Sequence, residues 1–237
     1  MNTVSDSLWL ALRLIADADV ALLHIVGLSL RVSATACLLG AVLGLALGAA
    51  LAVARFPGRG VLVWAVNTLL ALPSVVVGLL VYLLLSRAGP LGSWGILFTP
   101  TAMVIAQSIL VVPLIAALSR QLVLEALNEG GDQLSSLGAG PLQAALLLLL
   151  HARVGVLAVV LTAFGRAISE VGAVMIVGGN IDGLTRVMTT AIALETSKGD
   201  LPLALALGVV LLGVVGLINL GLGAVRGRAG RVDPAFA

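Results

Sequence analysis

Long apolar runs separated by short charged connections dominate the chain. A helix of about 20 apolar residues crosses the hydrocarbon core of a bilayer. Four runs without a charged residue meet that length, and a fifth run meets it despite carrying two charges. These runs are residues 32–54, 60–86, 96–119, 154–177 and 201–225. The pattern predicts an all-α membrane bundle of about five transmembrane helices, the first of them extended toward the amino terminus through residues 22–30.

Three local features modify this picture. The leucine-rich run 142–150 ends at His151 and is too short to cross a bilayer alone. Pro73 and Pro113 lie inside predicted spans, where each leaves a main-chain carbonyl without its helical donor. We expect a packed kink at each proline. The alternatives at the same two residues are a hinge, or a freed carbonyl that lines a polar path.

The first 20 residues have an amphipathic pattern. On a helix, Asp6, Arg13 and Asp17 fall on one face and leucines fall on the other. Because a basic leading segment is missing, the pattern does not predict a cleavable signal. It predicts an amphipathic or interfacial helix over residues 1–20, and a leader helix with no role beyond packing explains the pattern equally well.

Composition places the chain in the membrane. Hydrophobic residues make up 60% and charged residues 10%, and the mean hydropathy is +1.20. The single cysteine, Cys37, lies in an apolar run, which predicts a buried thiol and no cysteine-based metal site. The net charge of +2 comes mostly from arginines in short connections, so we expect a lipid bilayer and not nucleic acid as the surroundings.

Arginine placement predicts the orientation. Excess positive charge in short loops marks the cytoplasmic side. One side of the five-span layout carries Arg55, Arg59, Arg120, Arg153, Arg226, Arg228 and Arg231, and the other carries Arg13, Arg87, Arg186 and Lys198. We therefore expect an outside amino terminus, a transmembrane domain over residues 21–226, a cytoplasmic loop over about 120–153, and a cytoplasmic tail over residues 227–237.

The predicted cytoplasmic loop contains the polar stretch DQLSSLGAGPLQ, residues 132–143. Residues 125–136 have the composition of a short helix, and Gly138 suits the left-handed position that ends one. Gly140 followed by Pro141 is typical of a helix start. The predicted shape is a helix, a sharp turn and a second short helix, which is either a surface for a partner protein or a plain connector.

This turn resembles the cytoplasmic signature of permease subunits of ATP-binding-cassette (ABC) importers, which is Glu-Ala-Ala, three residues, Gly, nine residues, Ile-x-Leu-Pro. Asp132, Gln133 and Leu134 occupy the first three positions, and His151 replaces the final proline. The five-span layout resembles the oxyanion branch of these permeases. GRAISEVGAVMIVGGNI, residues 165–181, and TRVMTTAIALETSKGDLPLALALG, residues 185–208, are most similar to tungstate permeases, with molybdate permeases as nearest neighbours.

The resemblance implies a type I importer permease that works as a homodimer. It implies a separate ABC ATPase subunit that binds ATP and Mg²⁺, an extracytoplasmic substrate-binding protein, and the cell membrane of a prokaryote as the location. The chain itself would be a transport subunit without a cofactor, a metal or a catalytic residue. By resemblance, the residues that couple to the ATPase are Asp132, Gln133, Leu134, Ser135, Ser136, Leu137, Gly138, Ala139, Gly140 and Pro141.

The fourth run carries the charges of most interest. Arg166 and Glu170 are four residues apart, so they share a helix face near the predicted middle of the bilayer. In one interpretation Arg166 attracts the passing dianion, Ser169 donates a hydroxyl, and Glu170 limits the affinity. In the other interpretation, the ion pair holds its helix against a neighbouring span or against the second copy of the subunit. Thr189 and Thr190 are further candidates for the path, unless their hydroxyls bond their own helix.

Two other classes of function are weaker. A secondary transporter predicts internal repeats with paired broken helices, and the two halves show no convincing duplication. A membrane-embedded enzyme is disfavoured because His24 and His151 fall on opposite predicted sides. Among oxyanions, molybdate and sulfate remain alternatives to tungstate.

Overall fold

The structure, a computed structural model, describes residues 4–17 and 19–232, and every regular element among them is helical. This confirms the all-α prediction. In chain order the helices are α1 (Val4–Ala16), α2 (Val20–Val53), α3 (Arg59–Leu70), α4 (Ser74–Leu85), α5 (Pro100–Ser136), α6 (Pro141–His151), α7 (Arg153–Ile168), α8 (Gly172–Gly178), α9 (Met188–Lys198) and α10 (Leu201–Val232). A single 3₁₀ turn, Gly92–Trp94, lies between α4 and α5.

Three of these helices, α2, α5 and α10, are long and apolar enough to cross a membrane. Two further pairs qualify only when joined, and both are sharply bent: α3 with α4 by 102°, and α6 with α7 by 79°. Within residues 4–17 and 19–232 the number of candidate spans is therefore three, or up to five if each bent pair is one span, a range that includes the five expected.

The second apolar run is not one kinked helix, which corrects the expectation for Pro73. Helix α3 ends at Leu70 with Ala71 as its C-cap, and Pro73 is extended (φ −62°, ψ 128°) ahead of α4. Proline disfavours helical geometry in the residue before it, so Leu72 completes the break. Pro113, in contrast, lies inside the continuous helix α5.

The fourth run is also divided, so the single span expected over residues 154–177 is wrong. Helix α7 ends at Ile168, and α8 begins only at Gly172. The leucine-rich run before it forms the separate helix α6, as its length predicted. The short helix expected over residues 125–136 is the end of α5, a helix of 37 residues that continues through Gly130 and Gly131.

The chain divides into two compact units. The first contains Met1–Ala36, Pro73–Gln107 and Gly165–Leu217. Within it, α4 packs closely on α8, and a side chain added at Gly78 would meet the main chain of Ala173 at 2.9 Å. Helix α9 begins at Met188 and ends at Lys198, followed by the left-handed C-cap Gly199 (φ 83°).

The second unit contains Cys37–Leu72, Ser108–Phe164 and Ile218–Ala237. Glycines of α2 face α5, and Cβ atoms added there would meet side chains or main chain of α5 at less than 3 Å. Helix interfaces in membranes use such small residues because they let backbones approach closely. Nearby, α2, α5 and α6 bury a shared cluster of Ala49, Ala52, Val123, Ala126, Ala145 and Leu148.

Helices α1 and α10 form the described ends of the chain. Helix α1 stacks the Arg13 guanidinium 3.6 Å from the ring centre of Trp9, and its position at a membrane surface stays a prediction. The side chains of Arg226, Arg228 and Arg231 and residues 233–237 lie outside the described part of the chain. Cys37 is buried, as predicted, with Sγ 3.3 Å from the carbonyl oxygen of Val160.

Candidate functional site

The predicted turn after α5 has the geometry that its sequence indicates. Gly138 adopts φ 73°, a left-handed conformation that glycine accepts without a Cβ penalty. The amide of Ala139 donates to the carbonyl of Leu134 at 3.1 Å, which is the six-to-one bond of a Schellman helix end. The turn is therefore held by main-chain bonds and by one glycine.

The start of α6 is equally well defined. Gly140 is the extended N-cap of α6 (φ −69°, ψ 162°), and Pro141 takes the first helical position, where its missing amide costs nothing. The Gly140 amide donates to Oε1 of Gln143 at 3.1 Å. Two helices thus meet at a turn of four residues, 137–140, with little conformational freedom.

Two leucines protrude at this turn. Leu137 and Leu142 are each 83% exposed, one on either side of Gly138. Gln133 and Ser136 are exposed as well, whereas the side chains of Asp132 and Ser135 lie outside the described set. Exposed leucines framed by polar groups are typical of a surface that a partner protein covers.

The turn is anchored to the second unit through its flanking helices. Helix α6 buries Ala144, Ala145 and Leu148, and Leu134 near the end of α5 packs against the same cluster. Between the two helices lies a pocket of about 390 Å³ that Glu129, Gln133 and His151 line from its polar side. A force applied to the turn is therefore transmitted directly to α5 and α6.

The second candidate site is the break between α7 and α8. Arg166 Nη1 lies 2.9 Å from Oε2 of Glu170, so the predicted ion pair exists. The Glu170 side chain is 3% exposed and that of Arg166 is 53% exposed. The other carboxylate oxygen, Oε1, accepts the amide of Ala173 at 3.3 Å. The Glu170 carboxylate is thus held between a guanidinium and the first turn of α8.

Two carbonyls next to this break accept hydrogen bonds from side chains of other helices, and that of Ala167 also accepts the amide of Glu170. Thr189 Oγ1 donates to the carbonyl of Glu170 at 2.7 Å, and Gln107 Nε2 donates to the carbonyl of Ala167 at 3.0 Å. Buried carbonyls need such partners, because an unpaired one is costly away from water. Sequence reasoning missed Gln107, although a lone amide in an apolar stretch of α5 was a usable signal.

The remaining candidates are placed differently. Ser169 is exposed and donates to the carbonyl of Gly165 at 2.8 Å within its own helix. Thr190 is buried and exchanges hydrogen bonds with the main chain of Val187, so it caps the start of α9. Thr189 lies beside Glu170, and Arg166 is tied to the same residue. Of the five predicted path residues, Arg166 and Ser169 are the exposed ones.

Another residue that the sequence did not single out is Ser29. Its hydroxyl donates to the carbonyl of Ile25 and accepts the amide of Met188 at 2.7 Å. This bond joins α2 to the first residue of α9, where helical amides have no partner in their own helix. Serine in an apolar helix was the only available signal.

Comparison with known proteins identifies the family. No family model matches the chain. The tungstate uptake system permease protein TupB of Peptoclostridium acidaminophilum is 42% identical over 219 residues, which cover 92% of this chain and 96% of that protein. A probable anion ABC transporter permease protein of Haloferax volcanii is 42% identical over 212 residues, 87% of this chain and 90% of its own.

A solved structure agrees on the fold. The MetNI methionine ABC transporter, in inward facing conformations, matches with a TM-score of 0.71 at 20% identity, over 87% of this chain and 95% of the matched chain. Since two relatives are similar along nearly their whole length, the chain belongs to the family of ABC transporter permeases that includes the tungstate uptake permeases.

Proposed function

We propose that the chain is the membrane-spanning subunit of an ATP-driven importer whose substrate is tungstate. The observation that carries this proposal is the nearly full-length similarity to a tungstate uptake permease. Molybdate and sulfate are the alternative substrates, because both are tetrahedral dianions as well. An extracytoplasmic binding protein would capture the anion and set most of the selectivity.

The energy for transport comes, in this proposal, from a separate ATPase subunit that holds ATP and Mg²⁺. The only lysine of the chain is Lys198, and its surroundings do not match the phosphate-binding sequence G-x-x-x-x-G-K-[ST]. The chain therefore acts as a transport subunit without a cofactor or a catalytic residue of its own.

Residues 132–141 are the proposed contact with that ATPase. Support comes from the exposure of Leu137 and Leu142 on a turn whose backbone is fixed by Gly138 and Pro141. Apolar side chains on a preorganised turn fill a groove at low entropic cost. Closure of two ATPase subunits on ATP would push two such turns, and α5 and α6 would carry the motion into the membrane.

Arg166, Ser169, Glu170, Thr189 and Thr190 form the proposed environment of the translocation path. A half-exposed guanidinium within an apolar segment normally faces protein or water. In a homodimer, that face of Arg166 would meet either the second copy or the anion path. Glu170 keeps the site from holding a dianion tightly, which suits passage. Thr189 acts by holding the helix break in shape, and Thr190 acts by capping the start of α9.

The proposed location is the cell membrane of a prokaryote, with the amino terminus outside and the carboxyl terminus in the cytoplasm. The support is the distribution of arginines between the short connections. In this orientation the turn at residues 132–141 lies on the side where ATP is available.

The proposal is tested by reconstitution. The chain is purified with the ATPase and the binding protein encoded beside it and is placed in vesicles. We expect tungstate, delivered by the binding protein, to accelerate ATP hydrolysis and to accumulate inside. Calorimetry of the binding protein with tungstate, molybdate and sulfate ranks the substrates. Vesicles that respond to sulfate and ignore tungstate would contradict the substrate, and vesicles in which no oxyanion stimulates ATP hydrolysis would contradict the function.

A further inference from the structure

Three arginines of the second unit converge on one pocket at the carboxyl end of α2. The pocket has a volume of about 340 Å³. No carboxylate is among the residues that line it, so its positive charge is not balanced within the described part of the chain. The lining residues are Arg55, Phe56, Arg59, Gly60, Val63 and Arg120.

Arg59 is fixed in place by the end of the preceding helix. Its Nε donates to the carbonyl of Leu51 at 2.7 Å, and its Nη2 donates to the carbonyl of Ala52 at 3.2 Å. A guanidinium has five N–H donors in a planar fork, so these two bonds orient the group and leave donors for a ligand. The corner between α2 and α3 is thus a preorganised cationic surface.

Arg120, which lies on α5, has a side-chain donor that needs an acceptor. Its Nε is buried and has no hydrogen-bond partner among the described residues. A buried donor left unsatisfied is destabilising, and more so when it belongs to a charged group. An acceptor that carries negative charge would satisfy Nε and offset the surplus charge of the three arginines together.

The residues around the pocket determine which kind of acceptor it can bind. Arginine forks pair with phosphate and similar oxyanions through parallel N–H donors. Gly60 lies in the first turn of α3, where the positive end of the helix adds to the attraction. Phe56 and Val63 provide apolar walls next to these cations. The combination suits an anionic head with a hydrophobic attachment, as well as a free anion of the same geometry.

We propose that this pocket binds a tetrahedral phosphate-type oxyanion, supplied either by the headgroup of an anionic lipid or by the free ion. The bound anion bridges Arg55 and Arg59 at the α2–α3 corner to Arg120 on α5. Because α5 continues to Ser136, directly before the turn at residues 137–140, occupancy of the pocket stiffens the helix that leads to that turn. The site contains none of the residues assigned to the translocation path.

The test uses the complex of this chain with its ATPase subunit and compares Arg55→Gln, Arg120→Gln and the double variant with wild type. Arg59 is left intact because it caps α2. Arg153→Gln is the matched control, since Arg153 is an exposed arginine that does not line the pocket. Native mass spectrometry measures the retention of phosphatidylglycerol against phosphatidylcholine. A parallel titration in detergent with inorganic phosphate, at constant ionic strength, follows the thermal unfolding midpoint.

We expect affinity for one of the two probes to fall about tenfold or more in the double variant and to stay unchanged in the control. Loss confined to phosphatidylglycerol identifies a lipid headgroup, and loss of the phosphate response identifies a free anion. If the Arg120→Gln variant does not fold, the comparison of wild type with the Arg55→Gln variant is the test, since Arg55 is exposed. Equal binding of both probes by wild type and the Arg55→Gln variant overturns the proposal.

Discussion

The hydroxyl of Thr189 donates to the main-chain carbonyl of Glu170 over 2.7 Å. This bond ties the second residue of α9 to the interval between α7 and α8, where the chain leaves helical geometry. In the described part of the chain, no main-chain amide of a following helical turn donates to the carbonyl of Glu170. The hydroxyl of Thr189 is the donor in its place. The same residue that pairs with Arg166 through its side chain is therefore also fixed through its backbone.

Replacing Thr189 with valine should destabilise the protein by about 1–3 kcal/mol, because valine has the same shape and leaves the buried carbonyl unpaired. Serine at this position should retain most of the stability, since it keeps the hydroxyl. The measurement is the thermal unfolding midpoint of the detergent-solubilised chain.

Thr162→Val is the matched control for this change. The hydroxyl of Thr162, an exposed residue of α7, donates to the carbonyl of Ala158, which is already part of a regular helix. We expect a change there of about 0.5 kcal/mol or less. Equal effects of the two valine substitutions would mean that the Thr189 bond does not support the break.

A second prediction concerns Gly138. Valine at φ 73° is strained by about 1–2 kcal/mol or more, and no atom lies within 4 Å of an added Cβ, so the effect acts on the backbone of the turn alone. We expect Gly138→Val to reduce co-purification of the ATPase subunit and its tungstate-stimulated ATP hydrolysis about tenfold, while the chain itself still folds.

Gly130→Val provides the comparison for Gly138, because Gly130 is a helical residue of α5 that also has open space around an added Cβ. It should leave assembly with the ATPase unchanged. An intact complex with normal coupling in the Gly138→Val variant would show that residues 132–141 are not the contact with the ATPase.

The turn could be predicted from sequence because its determinants are local. Gly138 alone permits the left-handed helix end, and Gly140 with Pro141 begins the next helix. The long apolar helices follow from composition in the same way. The candidate pair Arg166 and Glu170 followed from a spacing of four residues.

The break between α7 and α8 could not be predicted, because it depends on distant residues. No proline or helix-ending glycine marks the interval at residues 169–171. The carbonyl of Glu170 in this interval is bonded by Thr189, and Gln107 bonds the carbonyl of Ala167 near the end of α7. Pro73 and Pro113 also show that local sequence does not determine where a helix ends. Pro73 lies between two helices and Pro113 lies inside α5, although both are in long apolar runs of the sequence. Tertiary packing decides between these outcomes.

A third prediction tests the contact between α2 and α5. A Cβ at Gly48 would overlap the hydroxyl of Ser119 and the carbonyl of Ala116, and the carbonyl belongs to a helix backbone that cannot yield. We expect Gly48→Ala to destabilise the chain by about 1–3 kcal/mol through overpacking. Gly27→Ala, in the same helix with no atom within 4 Å, should be neutral or stabilising by up to about 1 kcal/mol. Similar unfolding midpoints for the two variants would contradict the close approach of α2 to α5.

The last prediction separates the two interpretations of Arg166 and Glu170. Removing the arginine alone, as in Arg166→Met, leaves a carboxylate that is 3% exposed with only the amide of Ala173. Removing the carboxylate, as in Glu170→Gln, leaves a guanidinium that is half exposed and can be solvated. We therefore expect Arg166→Met to be the more destabilising change, by about 1–3 kcal/mol, which is less than for a fully buried pair.

The double variant decides the role of the pair. If the charges only fix the helix break, Arg166→Met with Glu170→Gln recovers both the unfolding midpoint and tungstate uptake, since no unpaired buried charge remains. If Arg166 attracts the anion, stability recovers and uptake does not. We expect the second result, because the guanidinium is 53% exposed in a segment where exposed charge faces protein or water. The pair of Arg186 with Asp182, 3.1 Å apart with Asp182 80% exposed, is the control cycle and should show little coupling in stability. Full uptake by the Arg166 and Glu170 double variant would remove Arg166 from the path and leave the pair a structural role only.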